Sequence, residues 1–403
     1  MVTLAIYPIH SLLSHQELIS SDSKKLLDNL KAKTGYDFKI TTDLAELQAA
    51  PLALILVQSG GSEGVFKKEI YPKFKGPYYL LTYGASNSLA ASLEILTFLK
   101  EKSKKAEILH GDEDYIASRI QDLLAKASSV KEPAHRLGLF GKPSDWLIGS
   151  DVDPKKALAV FNIKLVDVTE AELIRTVQEE TDSCPAGLFK ATFDPAELNK
   201  AYQIDLALEK LVAKYRLEGF TIRCFDVIKA VRMSACLGLA VENSKGIIAS
   251  CEGDVPAMIT AYSILKVLGQ HAFQANPQWV DPVKNRIALA HCTLPLDMPS
   301  DYHFDTHFES GIGLGIHGNL RPGECTIVKV SPDLSEFYCE EGMILDNEER
   351  ADRCRSQINV QLSSPATYFL TSSLGNHHQV IYGHHKAGLK AYFQSLGLRE
   401  IVG

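Results

Sequence analysis

At 403 residues the chain is long enough for two or three domains at one per ~150 residues, and with 45% hydrophobic and 23% charged residues it is excluded from the disordered and fibrous classes. A formal net charge of -7 without any basic block leaves no source for the counterion-release affinity that drives nucleic-acid binding. No stretch approaches the ~18 apolar residues of a membrane span, and the amino-terminal residues lack a basic leader and are broken by Pro8 and His10, so a cytoplasmic location without a membrane or nucleic-acid partner is expected.

Short apolar runs at 2–6, 52–57, 79–82 and 107–109 alternate with amphipathic segments, the pattern of parallel strands crossed by helices. The stretch 86–100 places Leu89, Leu93 and Leu96 at helical spacing directly after a strand and a turn. The loop 59–64 is glycine-rich, but the chain has neither GxGxxG nor GxxxxGK[ST], so no nucleotide site is expected there. These features predict a Rossmann-like, doubly wound α/β domain over 1–135.

A second α/β domain of the same kind is expected over 136–280. It opens with strands at 137–140 and 164–168, after which Thr169 and Glu172 form a capping box. Asp194, Pro195 and Glu197 supply an N-cap, a first-turn proline and a first-turn acid for a helix running to about Leu217. Strands follow at 220–225 and 246–251. Beyond residue 280 the runs shorten and become β-like, at 287–290, 312–316, 326–330, 358–362 and 367–370, predicting a β-rich, barrel-like domain over 281–403. In 311–316 glycines alternate with large residues, as a curved strand or a close backbone approach requires. Eight cysteines are scattered without a CxxC pair, which argues against a disulfide framework or a thiolate zinc site.

Nine of the thirteen histidines lie between His271 and His385. The strand at 246–251 ends in Glu252-Gly253-Asp254. Asp254 has a ready role as the N-cap of the following helix, whereas Glu252 caps nothing and sits where α/β sheets present ligand-binding groups. His291 follows the apolar strand 287–290, and His377 and His378 follow Gly375-Asn376. One carboxylate with two imidazoles suits manganese, zinc, iron or cobalt and leaves coordination positions open for a substrate.

Together these signatures resemble the L-fucose and L-arabinose isomerase group and its short relatives. Cys251-Glu252-Gly253-Asp254 resembles the group's metal-binding glutamate motif, Phe273-Gln274-Ala275-Asn276 falls where the group has a second acidic ligand, His291 resembles a third ligand position, and His377-His378 the late histidine motif. Arg223-Cys224-Phe225 and the run from Thr306 to Gly311 are similar to the short relatives as well. The resemblance implies a homo-oligomeric aldose–ketose isomerase acting on a monosaccharide through an ene-diolate, with a divalent ion, manganese foremost. Glu252 would then be both ligand and proton carrier. His291 and His378 would be ligands, with His377 a ligand or a donor to sugar hydroxyls. Asn276 departs from the group's acid and holds an amide at a catalytic and ligand position. Glu309, beside His307, would bind substrate hydroxyls or supply the second acid, and Asp281 is an alternative ligand whose Asp-Pro context favours a turn. A sugar-binding or sensing protein on the same fold, or a metal-dependent epimerase or lyase, would share most of these residues.

Overall fold

The computed structural model describes residues 2–11, 16–128 and 133–402, which form two compact units, 1–132 and 133–403. In the first unit five parallel strands, β1 (Thr3–Ile9), β2 (Asp37–Ile40), β3 (Ala53–Val57), β4 (Tyr78–Leu81) and β5 (Ala106–Leu109), lie in the order β2-β1-β3-β4-β5. Because side chains alternate along a strand, Leu54 and Leu56 of β3 pack with Leu26, Leu30, Ile116 and Ile120 on one face, while Ile55 and Val57 pack with Leu47, Phe66, Ile95 and Leu99 on the other. Both faces are helix-covered, which is the doubly wound arrangement expected. The helix anticipated at 86–100 is Ser88–Glu101, entered through Ser86 and Asn87, both left-handed. The short β2, with two charged residues among four, gives no periodic signal and was not anticipated.

The second unit begins with four parallel strands, β6 (His135–Phe140), β7 (Ile163–Val168), β8 (Gly219–Ile222) and β9 (Ile248–Ser250), ordered β7-β6-β8-β9. Thr169 Oγ1 accepts the Glu172 N–H at the start of helix Glu170–Glu179, and Asp194 accepts from Ala196 and Glu197 at the start of helix Pro195–Tyr215. The strand expected at 220–225 stops at Ile222, since Cys224–Val231 is helical.

The remaining strands are β10 (Phe273–Asp281), β11 (Arg286–His291), β12 (Asp301–Thr306), β13 (Leu314–Asn319), β14 (Gly323–Val330), β15 (Glu336–Asn347), β16 (Ser356–Leu362), β17 (His378–Tyr382) and β18 (Arg399–Glu400). Six of them run β14-β17-β10-β11-β16-β15, antiparallel throughout, and the β14–β15 pairing closes the ring into a barrel. β12 and β13 form a separate hairpin, and β18 adds a parallel strand to β15. The four-stranded sheet and the barrel share their cores: Phe220, Ile222 and Cys251 pack in one cluster with Leu289, Ile327 and Tyr338, and Leu137 and Ile248 in another with Val328, Phe337 and Ile381.

Two expectations change here. The run 367–370 is not a strand, because Tyr368–Thr371 form a helical turn with Tyr368 buried and stacked on Tyr338 at 3.5 Å between ring centroids; a four-residue apolar run has no periodicity to separate the two. The strand expected at 312–316 begins only at Leu314, since Gly311 and Gly313 have positive φ. A side chain on Gly313 would put its Cβ 2.6 Å from the Ser234 nitrogen, the close approach that its glycine pattern predicted. No helix among the described residues is long and apolar enough to cross a membrane.

Candidate metal centre

β9 delivers the chain into the turn Cys251-Glu252-Gly253-Asp254. The Cys251 N–H donates to Gln274 Oε1 on β10 at 3.2 Å and the Gly253 N–H to the Ile222 carbonyl at 2.9 Å, which fixes the turn between sheet and barrel. Glu252 takes a left-handed φ of 62°, a conformation costing roughly 1–3 kcal/mol for a residue with a side chain. Gly253 follows at φ 74°, and a Cβ there would stand 2.6 Å from the Lys142 carbonyl oxygen, so only glycine lets the loop after β6 pass this close. That loop is held by the Ser144 N–H, which donates to the Glu252 carbonyl at 2.9 Å, and by Arg223, which donates to the Pro143 carbonyl and pairs with Asp145.

His291 is the last residue of β11, and His377 immediately precedes β17. Both strands flank β10, with Ala290 opposite Asn276 and His378 opposite Ala275, so barrel register alone brings the two imidazoles to a ring separation of 5.3 Å. Glu252 Oε1 lies 3.5 Å from His377 Nε2 and 3.9 Å from His291 Nε2. The ligand atoms of Glu252, His291 and His377 are all within 4.8 Å of one another, and all three residues are buried.

The partners of these groups decide what the cluster can hold. Among the described residues, both Nε2 atoms are buried without a hydrogen-bond partner, as is Asn276 Oδ1 on the neighbouring strand. Asp254 caps helix Val255–Leu268 as expected, accepting the Ala257 N–H at 2.7 Å, but its other oxygen accepts from His377 Nδ1 at 2.9 Å and both oxygens face Lys329 Nζ at 3.3 and 3.4 Å. With Nδ1 committed as a donor to Asp254, His377 aims Nε2 at Glu252, and displacement of the Nε2 proton would leave a lone pair there, the arrangement by which a carboxylate orients a metal-ligating histidine. One carboxylate oxygen and two buried, unpartnered imidazole nitrogens converging on one point fit a divalent ion.

In the absence of an ion, these groups set one another's charge, and a divalent cation would displace a proton from His377. Burial pushes the Glu252 carboxyl up, but His377, His291 and the Trp146 indole outweigh it and bring it down to about 2. Burial likewise disfavours charge on His377, yet the Glu252 and Asp254 carboxylates raise it to about 9. Burial, with His377 adding repulsion, lowers His291 to about 3. Buried His307, lowered to about 4 by desolvation against the pull of Glu252, packs edge-on to Phe225 and shares Nδ1 with Ser310 Oγ at 2.9 Å. Glu309 keeps its side chain exposed to solvent, but partial desolvation and the Glu252 charge raise its carboxyl above the usual range.

His378 faces elsewhere. Its Nε2 contacts the Tyr368 hydroxyl at 3.0 Å, its Nδ1 the Asn376 carbonyl at 3.0 Å, and its ring packs among Tyr338, Tyr368 and Phe369. Asp281 caps the β10–β11 turn, accepting from Val283 and Lys284. Two participants escaped the sequence. Trp146 donates its indole N–H to Glu252 Oε2 at 2.7 Å while 52% exposed, and Lys329 is fully buried. Each leaves a faint signal: Trp146 sits in a loop at the carboxyl end of a parallel strand, and Lys329 is a lone cation in the apolar strand Ile327-Val328-Lys329-Val330.

No family model matches the chain. It is a distant homologue of sulfoquinovose isomerases. It is 24% identical to that of Clostridium sp. (strain MSTE9) over 323 residues, which cover 72% of this chain and 70% of the relative. It is 24% identical to those of Priestia aryabhattai and Priestia megaterium over 196 residues, covering 46% of this chain. That match spans 44% of the length of each Priestia protein.

Proposed function

We propose that the chain is a divalent-metal-dependent aldose–ketose isomerase, and the observation that carries this is the convergence of Glu252 Oε1, His291 Nε2 and His377 Nε2 on one buried point. The distant homology to enzymes named as sulfoquinovose isomerases supports sugar isomerisation as the reaction class. The ligand role that the motif resemblance gave to His378 passes to His377, because both nitrogens of His378 are engaged elsewhere. Manganese is the proposed ion, and Asn276, whose Oδ1 lacks a partner, is proposed as a neutral fourth ligand.

A divalent ion bound here supplies Lewis acidity to adjacent sugar oxygens, which lowers the cost of the ene-diolate that forms when a proton leaves the carbon beside the carbonyl. The proton itself needs a carrier whose affinity suits the task. Glu252, held at about 2 and anchored through Oε2 by Trp146, is a poor base and a good ligand. Glu309, whose carboxyl is raised and open to solvent, is the better proton carrier between C1 and C2. His307, neutral because it is buried, donates to or accepts from a sugar hydroxyl beside it.

The test is incubation of the protein and Mn2+ with a panel of aldoses, sulfonated sugars included, in deuterated solvent. Ketose formation with solvent deuterium at C2 of recovered aldose is expected. Thermal stabilisation by sugar and metal with no exchange at C2 would instead identify a binding protein, and a C2-epimeric aldose without ketose an epimerase.

A further inference from the structure

Lys329 has no exposed surface, and neither has Asp254, so each charge has been taken wholly out of water. Among the described residues the Lys329 ammonium pairs with Asp254 alone, at 3.3 and 3.4 Å from its two oxygens. Capping does not explain this pair. Asp43, Asp153 and Asp194 cap helices in the same chain with no lysine or arginine ion-paired to them among the described residues, and a serine or asparagine would accept the Ala257 N–H without burying a charge. What distinguishes Asp254 is its bond to His377 Nδ1 at 2.9 Å.

The three residues come from three places: Asp254 from the turn after β9, Lys329 from β14 and His377 from the residue just before β17. β14 and β17 are paired neighbours, with Val328 opposite Gln379, so the barrel itself sets Lys329 beside the histidine strand. The lysine stem passes over Gly375, where an added Cβ would be 3.4 Å from Cε.

We infer that Lys329 is a positioning residue of the metal centre: through Asp254 it holds His377 so that Nε2 faces Glu252 and a divalent cation. The inference rests on the metal reading above and deepens it. Lys329 pins the carboxylate on both oxygens, the carboxylate fixes the imidazole tautomer and plane, and a fixed imidazole binds an ion more tightly than one free to turn.

Calorimetric titration of Mn2+ into chelator-treated full-length protein, with a melting curve for each form, tests it. Lys329→Met should bind Mn2+ about 10–100-fold more weakly and melt lower, because Asp254 loses its buried lysine partner. Lys329→Met with Asp254→Asn removes both charges, so its melting temperature should recover while its Mn2+ affinity stays at least about tenfold below wild type. A folded double variant with wild-type affinity would reduce Lys329 to a structural role and overturn the inference. Should the double variant not fold, Lys329→Arg against Lys329→Met decides: the retained charge should preserve more affinity, and equal losses overturn the inference. A wild-type protein that binds no Mn2+ removes the metal reading and this inference with it, whereas equal affinities in wild type and variants remove this inference alone.

Discussion

Trp146 and Glu252 hold each other in place: the indole N–H donates to Glu252 Oε2 at 2.7 Å, and the Glu252 carbonyl accepts the N–H of Ser144 at 2.9 Å in the loop that carries the indole. Trp146→Phe keeps the aromatic plane and its edge contact with Phe225 but deletes the charge-assisted bond, worth about 1.5–3 kcal/mol. The Glu252 carboxyl should then rise from about 2, and Mn2+ affinity should fall by up to about tenfold. Calorimetric titration of the folded variant checks this, and an unchanged affinity would mean that the indole bond is incidental.

Adjacent histidines give the sharpest contrast. His377→Gln should lower Mn2+ affinity by at least about 100-fold, since it removes a ligand nitrogen. His378→Gln should leave metal binding near wild type and cost about 1–3 kcal/mol of stability, because the Tyr368 hydroxyl and the surrounding aromatic rings lose a fitted, hydrogen-bonded neighbour. The reverse pattern would return the ligand role to His378.

Gly253→Ala tests the close passage of the two loops. The new Cβ would meet the Lys142 carbonyl at 2.6 Å and Pro143 Cα at 2.7 Å, at a φ of 74° that side chains disfavour. A loss of about 2–4 kcal/mol in denaturant unfolding is expected, the sum of strain and overpacking. A neutral substitution would show that the two loops separate freely.

A pH dependence arises away from the metal. Asp205, in helix Pro195–Tyr215, is 4% exposed with Oδ1 unpartnered, and burial first, then Glu242 and Glu209, raise its carboxyl to about 7 against the pull of Lys245. Because the folded value exceeds the unfolded one, the folded state binds the extra proton. Asp205 therefore costs nothing well below pH 4, its cost grows as the pH rises from about 4 to about 7, and it is complete above that. Asp205→Asn should accordingly stabilise the protein more at pH 8 than at pH 5, by about 2–3 kcal/mol. Urea titrations at the two pH values measure it, and equal gains at both would place the Asp205 titration outside this range.

Four of the five strands of the first sheet and the turn bearing Glu252 are legible in the sequence because their signals are local: an apolar run of strand length, then turn residues, then a cap. Asp194-Pro195-Glu197 marks its helix for the same reason. The choice between His377 and His378 is not local. Consecutive residues of a strand face opposite sides, and which side meets Glu252 depends on the register of β17 against β10, set by residues about a hundred positions away. Lys329 and Trp146 are hidden likewise, their carboxylate partners lying 75 and 106 residues off. The helical turn at Tyr368 was missed because its stacking on Tyr338, not its own composition, decides its conformation.

The barrel closes on itself, and the two histidines hang from strands on either side of one shared neighbour, so their spacing is set by a ring of backbone hydrogen bonds with no free edge. Glu252 arrives from a different sheet on a four-residue turn. The imidazole wall of the centre and its carboxylate wall thus belong to separate pieces of architecture, and an ion bound here would be released by opening of the turn rather than of the barrel. Exchange kinetics should follow the opening of that turn, reported by hydrogen exchange at the Gly253 amide, which bonds to the Ile222 carbonyl, while the β10, β11 and β17 amides stay protected.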